Sequence, residues 1–196
     1  FEKIARLASN ENPFELAPEI QKAAALALSD INRYPDPSSA KLRAAIRKHI
    51  YDAPVVVSGS GMDGVIETVI RVIVSPGDTV AVAAPTFSVY GLAAKAASAN
   101  IVNIPSREDF TINIDLFIEK ARTAKLSFLC TPNNPTGTTV PAAEVKRILE
   151  NIEGFLFLDC AYIEFADEDY YSLLSAENLI IGRTLSKVYG LAGLRI

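Results

Sequence analysis

The sequence has 196 residues, 49% hydrophobic and 21% charged, enough apolar chain for one sizeable buried core. Its net charge is −4, with acidic and basic residues interspersed and no basic run, so the electrostatic footprint of nucleic-acid binding is missing. No apolar stretch approaches the roughly 18 residues that span a bilayer, no signal peptide is visible, and the two cysteines lack the spacing of a zinc site or disulfide framework, which makes the cytoplasm the expected location.

Residues 1–14, "FEKIARLASNENPF", form an arm with no sustained period. A helix is expected from Pro18 to about Leu28, because proline is favoured at the first helical position and "EIQKAAALAL" is rich in helix formers. The prolines of "INRYPDP" then force an extended or turning connector. In "SSAKLRAAIRKHI" Ser38 or Ser39 is the expected N-cap of a second helix, with Leu42, Ala45, Ile46 and Ile50 along one face. His49 follows two basic residues there and reads as exposed. Residues 1–30 are assigned to an arm and helix, and 31–196 to the main domain.

From residue 55 the chain alternates. Short apolar runs, "VVVS", "DTVAVAA", "NIVNIP", "LSFLC", "FLFLD" and "LIIGRT", are separated by helical patterns at 62–74, 87–98, 114–124 and 141–152. Strands that are apolar throughout suit a sheet covered on both faces, and the alternation suits right-handed parallel crossovers. The expected architecture is a doubly wound α/β domain with a mostly parallel sheet flanked by helices. "ADEDYY" at 166–171 reads as a solvated loop.

Ligands of such sheets bind beyond the carboxyl ends of the strands. Those ends carry Gly59 to Asp63, Pro85 to Tyr90, Thr131 to Gly137, Asp159 to Tyr162 and Thr184 to Lys187. Gly59, Gly61 and Gly64 match the letters of a dinucleotide fingerprint, and Asp78 lies near the distance expected of a ribose-binding acid, so a nicotinamide dehydrogenase is one reading. That reading leaves Asn134, Asp159, Tyr162 and Lys187 without a role. Pyridoxal phosphate instead needs a lysine for a Schiff base, an acid to keep the ring nitrogen protonated and an anion cup for its phosphate. Lys187, Asp159 and the turn at 59–64, which leads into a helix N-terminus, could supply them.

"TPNNPTG", "DCAYIEF" and "RTLSKVYGLAGLR" together resemble the signature segments of fold-type I pyridoxal-phosphate aminotransferases. With "SNENPF" and "NRYPDP" added, the chain is most similar to the histidinol-phosphate aminotransferase branch. The resemblance implies that Lys187 carries the cofactor and shuttles protons, and that Asp159 pairs with the pyridinium nitrogen. It implies that Tyr162 and Asn134 hydrogen-bond the ring's 3′ oxygen and that Tyr90 stacks on the ring face. Met62 and Asp63, chiefly through backbone amides, with Thr184, Ser186 and Arg195, would hold the phosphate. Tyr34 would reach the phosphate in a neighbouring subunit, which implies a homodimer acting on a small, phosphorylated amino or keto substrate. Threonine-phosphate decarboxylase, with similar motifs, is the close alternative.

This sequence has Cys160 where the family commonly has an acid, at a position expected to point away from the cofactor. The family's small domain, with its substrate-carboxylate arginine, is expected beyond Ile196, so the chain reads as a piece of something longer. Taken singly, these residues also have ordinary structural explanations: Asp159 as a turn cap, Tyr90 as a core aromatic, Asn133 and Asn134 as turn formers beside prolines.

Overall fold

A computed structural model of the chain describes residues 7–196, which fall into two compact units, residues 59–184 and residues 7–58 with 185–196.

The larger unit is built on five parallel strands: β1 (Thr79–Ala84), β2 (Asn100–Pro105), β3 (Leu126–Cys130), β4 (Phe155–Asp159) and β5 (Leu179–Gly182). Their spatial order is β2-β1-β3-β4-β5, so the direction of winding reverses between β1 and β3. Four helices cover the sheet: α3 (Gly61–Ile73) and α4 (Val89–Ala96) on one face, α5 (Ile114–Ala121) and α6 (Ala142–Leu149) on the other. Side chains alternate along a strand, and the two cores follow that alternation. Val80, Val82, Leu126, Phe128, Cys130 and Phe157 meet Ile66, Ile70, Tyr90 and Ala94 of α3 and α4. Ala81, Ala83, Leu129, Leu156 and Leu158 meet Phe117, Ala121, Val145 and Ile148 of α5 and α6. The central β3 is buried along its whole length, while β2 at the edge is largely not. This is the doubly wound α/β architecture expected from the alternating runs.

Residues 55–58 depart from expectation, since "VVVS" is not a strand of this sheet. Val56 is buried and Val55 and Val57 are exposed, but a β-branched run becomes a strand only where a ladder partner exists, and none is present among the described residues. The loop at 166–171 is not simply solvated either. The Tyr170 hydroxyl is buried, donates to Val140 O at 2.6 Å and lies 2.8 Å from Thr131 Oγ1. Tyrosine has a single hydroxyl proton, so Thr131 must be the donor in that second bond. The Thr131 oxygen in turn accepts from Val140 N at 3.0 Å, which closes a three-residue network below the end of β3. Glu168 of the same loop accepts from Ala142 N at 3.0 Å, placing a carboxylate at the start of α6.

The smaller unit holds α1 (Pro18–Ala27), a 3₁₀ turn at Leu28–Asp30 and α2 (Ala40–His49). Proline stands in the first turn of α1 as expected. At α2 the expected serine caps do not form. Ser39 is in the left-handed region, φ 48°, where its side chain makes no cap bond, and Asp36 takes the role, accepting from Ala40 N at 3.0 Å and Ser38 N at 2.9 Å. Leu42, Ile46 and Ile50 are half-buried, and Ala45 and His49 are exposed. Neither α1 nor α2 contains a fully buried residue. Among the described residues no helix is long and apolar enough to cross a membrane.

Candidate active site

Within the larger unit the carboxyl ends of β1, β3, β4 and β5 and the N-terminus of α3 carry Met62, Asp63, Tyr90, Asn134, Asp159, Tyr162 and Thr184. The crevice lies where the winding reverses, between β1 and β3. Asn133 spans it. Its side-chain oxygen accepts from Thr86 Oγ1 at 2.7 Å, and its amide nitrogen donates to Pro85 O at 2.9 Å and Thr136 Oγ1 at 2.8 Å. Both amide protons and the carbonyl are thereby used, which fixes which way the amide points. The sequence reading favoured Asn134, which is half-buried at the rim of the same loop. The two adjacent asparagines therefore differ in this structure: Asn133 uses its amide within the protein, and Asn134 stands beside it.

Asp159 ends β4 on the face shared with Phe157, as alternation requires, and only 2% of it is exposed. One carboxylate oxygen accepts from Ala161 N at 3.0 Å and the other from the Tyr90 hydroxyl at 2.5 Å. Cys130 is its register partner on β3. Burial first, and then the charge of Asp159, pushes the Cys130 thiol up to about 12 and the Tyr90 hydroxyl well above its ordinary range. Both groups therefore stay protonated beside the carboxylate at neutral pH. Cys160, the departure from the family pattern, lies in the core on the α5 and α6 side, away from the Asp159 face as expected, and burial pushes its thiol well up too.

Tyr90 is fully buried, its ring stacked on Phe128 at 4.7 Å between centroids and edge-on to Phe87 at 5.7 Å. The structure thus gives it a core position and a hydrogen bond to Asp159. Met62, expected to act chiefly through its backbone amide, buries its side chain in the core. A Cβ on Gly182 would stand 3.1 Å from its sulfur, which locates the start of α3 over the end of β5. Gly61 opens α3 with φ 65°, a conformation that side chains disfavour, and the Ser60 side chain does not cap the helix. Asp63 is exposed in the first turn, Thr184 is buried just beyond β5, and half-buried Tyr162 packs against the core that holds Met62 and Tyr90. Nearby, Arg183 pairs with Glu164 and lies over the Tyr171 ring at 5.7 Å.

Ser186, Lys187 and Arg195 belong to the smaller unit with Tyr34. Ser186 is buried, Arg195 is exposed and its guanidinium donates to Ala192 O at 3.2 Å, and Tyr34 is wholly exposed. The Lys187 amine donates to Ser9 O at 2.8 Å, and the Asn12 side chain donates to Val188 O at 3.0 Å and Lys187 O at 3.3 Å. No single arm residue stood out in the sequence, because a polar arm gives no period from which its contacts can be read.

A parallel doubly wound domain with a buried carboxylate, paired asparagines and a helix start at its carboxyl edge has the site layout of an α/β enzyme. The model of the family "Aminotransferase class I and II" matches residues 2–196, and the chain belongs to that family. It is 61% identical over 196 residues to a histidinol-phosphate aminotransferase of Methanocorpusculum labreanum, a match covering all of this chain and 56% of that protein. The chain thus spans about half the length of the curated relatives it matches. Among solved structures it is similar to histidinol-phosphate aminotransferase from Sinorhizobium meliloti in complex with pyridoxal-5′-phosphate, with TM-score 0.87, 28% identity, and coverage of 95% of this chain and 53% of that one. It also shares the fold of L-threonine-O-3-phosphate decarboxylase from Porphyromonas gingivalis, with TM-score 0.76, 24% identity, and coverage of 93% of this chain and 58% of that one.

Proposed function

We propose that the protein is a pyridoxal-phosphate-dependent aminotransferase that exchanges an amino group between histidinol phosphate and 2-oxoglutarate, with imidazole-acetol phosphate and glutamate as the other pair, in histidine biosynthesis. The observation that carries the chemistry is the buried carboxylate of Asp159 on the α3 and α4 face at the carboxyl edge of the sheet. A carboxylate buried among apolar groups is what a protonated heterocyclic nitrogen requires as a partner, so the donor set fits this cofactor. The 61% identity to a histidinol-phosphate aminotransferase supports the choice of substrate.

When bound, the cofactor supplies the electron sink that stabilises negative charge on the substrate Cα. Lys187 would anchor it and would serve as the base that holds and moves the proton of the substrate Cα. Asp159 holds the ring nitrogen in its protonated form. Asn134 and Tyr162 would orient the ring through its 3′ oxygen, and Tyr90, buried against Phe128, would hold the Asp159 carboxylate rather than stack on the ring. Met62 and Asp63, through their amides, and Thr184 would take the phosphate at the helix start, as would Ser186 and Arg195, since a helix N-terminus and a guanidinium each favour an anion. Tyr34 serves the phosphate of a second copy. Its full exposure, the exposed apolar side chains of Leu26, Leu28 and Ile31, and the lack of buried residues in α1 and α2 support a homodimer. Two free, buried thiols suit a reducing compartment such as the cytoplasm.

The test is spectroscopic and then enzymatic, on the full-length protein. Added pyridoxal phosphate should give a visible band near roughly 410–430 nm that Lys187→Ala abolishes. Histidinol phosphate with 2-oxoglutarate should turn over, while histidinol and threonine phosphate should be poor substrates. A protein that gains no band overturns the cofactor reading, and loss of carbon dioxide from threonine phosphate overturns the substrate reading.

A further inference from the structure

The arm at residues 9–14 touches the lysine loop in an organised way. The Asn12 side chain donates to two consecutive carbonyls, those of Lys187 and Val188. Its own carbonyl oxygen accepts from Phe14 N at 3.0 Å, which fixes the amide and turns the arm around it. Lys187 O also accepts from Gly190 N at 3.1 Å, so its two lone pairs are shared between the arm and the loop's own turn. Gly190 has φ 67°, and a Cβ there would stand 3.3 Å from Leu16 and 3.7 Å from the Asn12 amide nitrogen. A side chain at this φ would be strained and would press on the arm. The contact is reciprocal, because the Lys187 amine reaches back to Ser9 O.

We infer that Asn12 is a positioning residue for Lys187, holding the backbone of residues 187–188 in the conformation that presents the amine. The inference rests on the proposed function for its consequence in catalysis, but its physical content concerns the arm and the loop alone. A lysine whose backbone is held at two carbonyls sweeps a smaller volume, and effective molarity falls steeply when the reacting atom wanders. The arm is thus part of the apparatus that orders the amine, although it is remote from Lys187 in sequence.

Asn12→Asp is the discriminating variant. It keeps the acceptor for Phe14 N and removes both donors to the lysine loop. Two measurements on the full-length protein separate the possible failures. The first is the labelling rate of Lys187 by a small amine-reactive reagent in cofactor-free protein, read by peptide mass spectrometry, with hydrogen exchange of residues 185–191. The second is the rate of covalent capture of added pyridoxal phosphate, trapped by borohydride, together with kcat and KM.

Asn12→Asp should change Lys187 labelling by several-fold, speed exchange in 185–191, and slow capture and kcat by roughly tenfold with little change in KM. Asn12→Ser, which retains one donor, should fall between. Unchanged labelling and exchange in folded Asn12→Asp protein overturn the inference even if the wild type binds the cofactor. Failure of the wild type to capture it overturns the function while the labelling result still decides the inference. If Asn12→Asp does not fold, Asn12→Ser decides, and a wild-type labelling rate there overturns the inference as well.

Discussion

The Tyr90 hydroxyl donates to Asp159 at 2.5 Å, joining the first turn of α4 to the end of β4 across the buried face of the sheet. The hydrogen bond is possible because Asp159 follows Phe157 on that face and because the Tyr90 ring is held flat on Phe128, the neighbour of Phe157 in β3. A carboxylate in that position costs several kcal/mol unless donors surround it, and Tyr90 and the Ala161 amide are two such donors.

Tyr90→Phe keeps the ring and removes the proton donor. The expected result is a loss of about 1–3 kcal/mol of unfolding free energy, because the hydrogen bond is to a charged, buried acceptor. Urea unfolding of the full-length protein measures it. A variant as stable as the wild type would mean that the hydroxyl is not a principal partner of Asp159.

Asn133→Asp and Asn133→Ala divide the crevice bridge into its parts. Aspartate can still accept from Thr86 but cannot donate to Pro85 O and Thr136, and its charge faces the Pro85 carbonyl. Both substitutions should destabilise by about 1–3 kcal/mol, with aspartate no better than alanine. An aspartate variant indistinguishable from wild type in thermal unfolding would show that the two donated bonds carry no net stability.

These pairs explain how far the sequence could be read. Periodic signals found the five strands and the helices because burial on two faces writes apolar runs directly into the chain. The same signal misplaced "VVVS", since composition records a preference for extended backbone but not whether a neighbouring strand is there. Motif spacing singled out Asp159 and Lys187, whereas the bonds of Asn12, Asn133 and Tyr90 were not legible. Those three depend on which long-range partner a side chain meets, 47 residues away for Asn133 and Thr86 and 69 for Tyr90 and Asp159. Tyr170 shows the reverse error, because acidic neighbours made a buried anchor look like solvated loop.

Ser127 sits in the middle of β3 with its hydroxyl fully buried and, among the described residues, without a hydrogen-bond partner. It faces the α5 and α6 core, alternating with Leu126 and Phe128. An unsatisfied hydroxyl is a desolvation cost that alanine does not carry, so Ser127→Ala should be neutral or stabilising by up to about 1 kcal/mol. Chemical denaturation decides it, and a clear loss would reveal a partner such as a buried water.

Gly154 precedes β4 where the chain crosses the connection between α5 and β3. A Cβ there would lie 2.1 Å from Ala124 O and 2.6 Å from Lys125 O, both backbone atoms that no rotamer change can move. Lys125 O is also the acceptor for Phe155 N, so relief of the clash pulls on the β3 to β4 ladder. Gly154→Ala should cost roughly 3 kcal/mol or more and lower the yield of folded protein. A melting temperature equal to the wild type would mean that this connection yields easily.

Alkaline pH should unfold the larger unit by a definite route. Cys130 is pushed from 9.0 up to about 12 and Tyr170 from 10.0 up to about 12, in both cases chiefly by burial, and Cys160 and Tyr90 move the same way. All four are neutral when protonated, and their folded values lie above their unfolded ones. Their contribution is therefore complete below about pH 9, where neither state has released the proton, and is lost as pH rises from there toward 12, because the unfolded chain ionises first. Thermal unfolding should accordingly hold level from pH 7 to 8.5 and fall steadily above 9. Cys130→Ala should make that fall shallower at the cost of some stability at neutral pH. A maleimide should leave both thiols unlabelled at pH 7.5 until denaturant is added, since burial withholds both access and the thiolate. Rapid labelling in native buffer, or a Cys130→Ala profile parallel to the wild type above pH 9, would show that the thiol beside Asp159 does not titrate with unfolding.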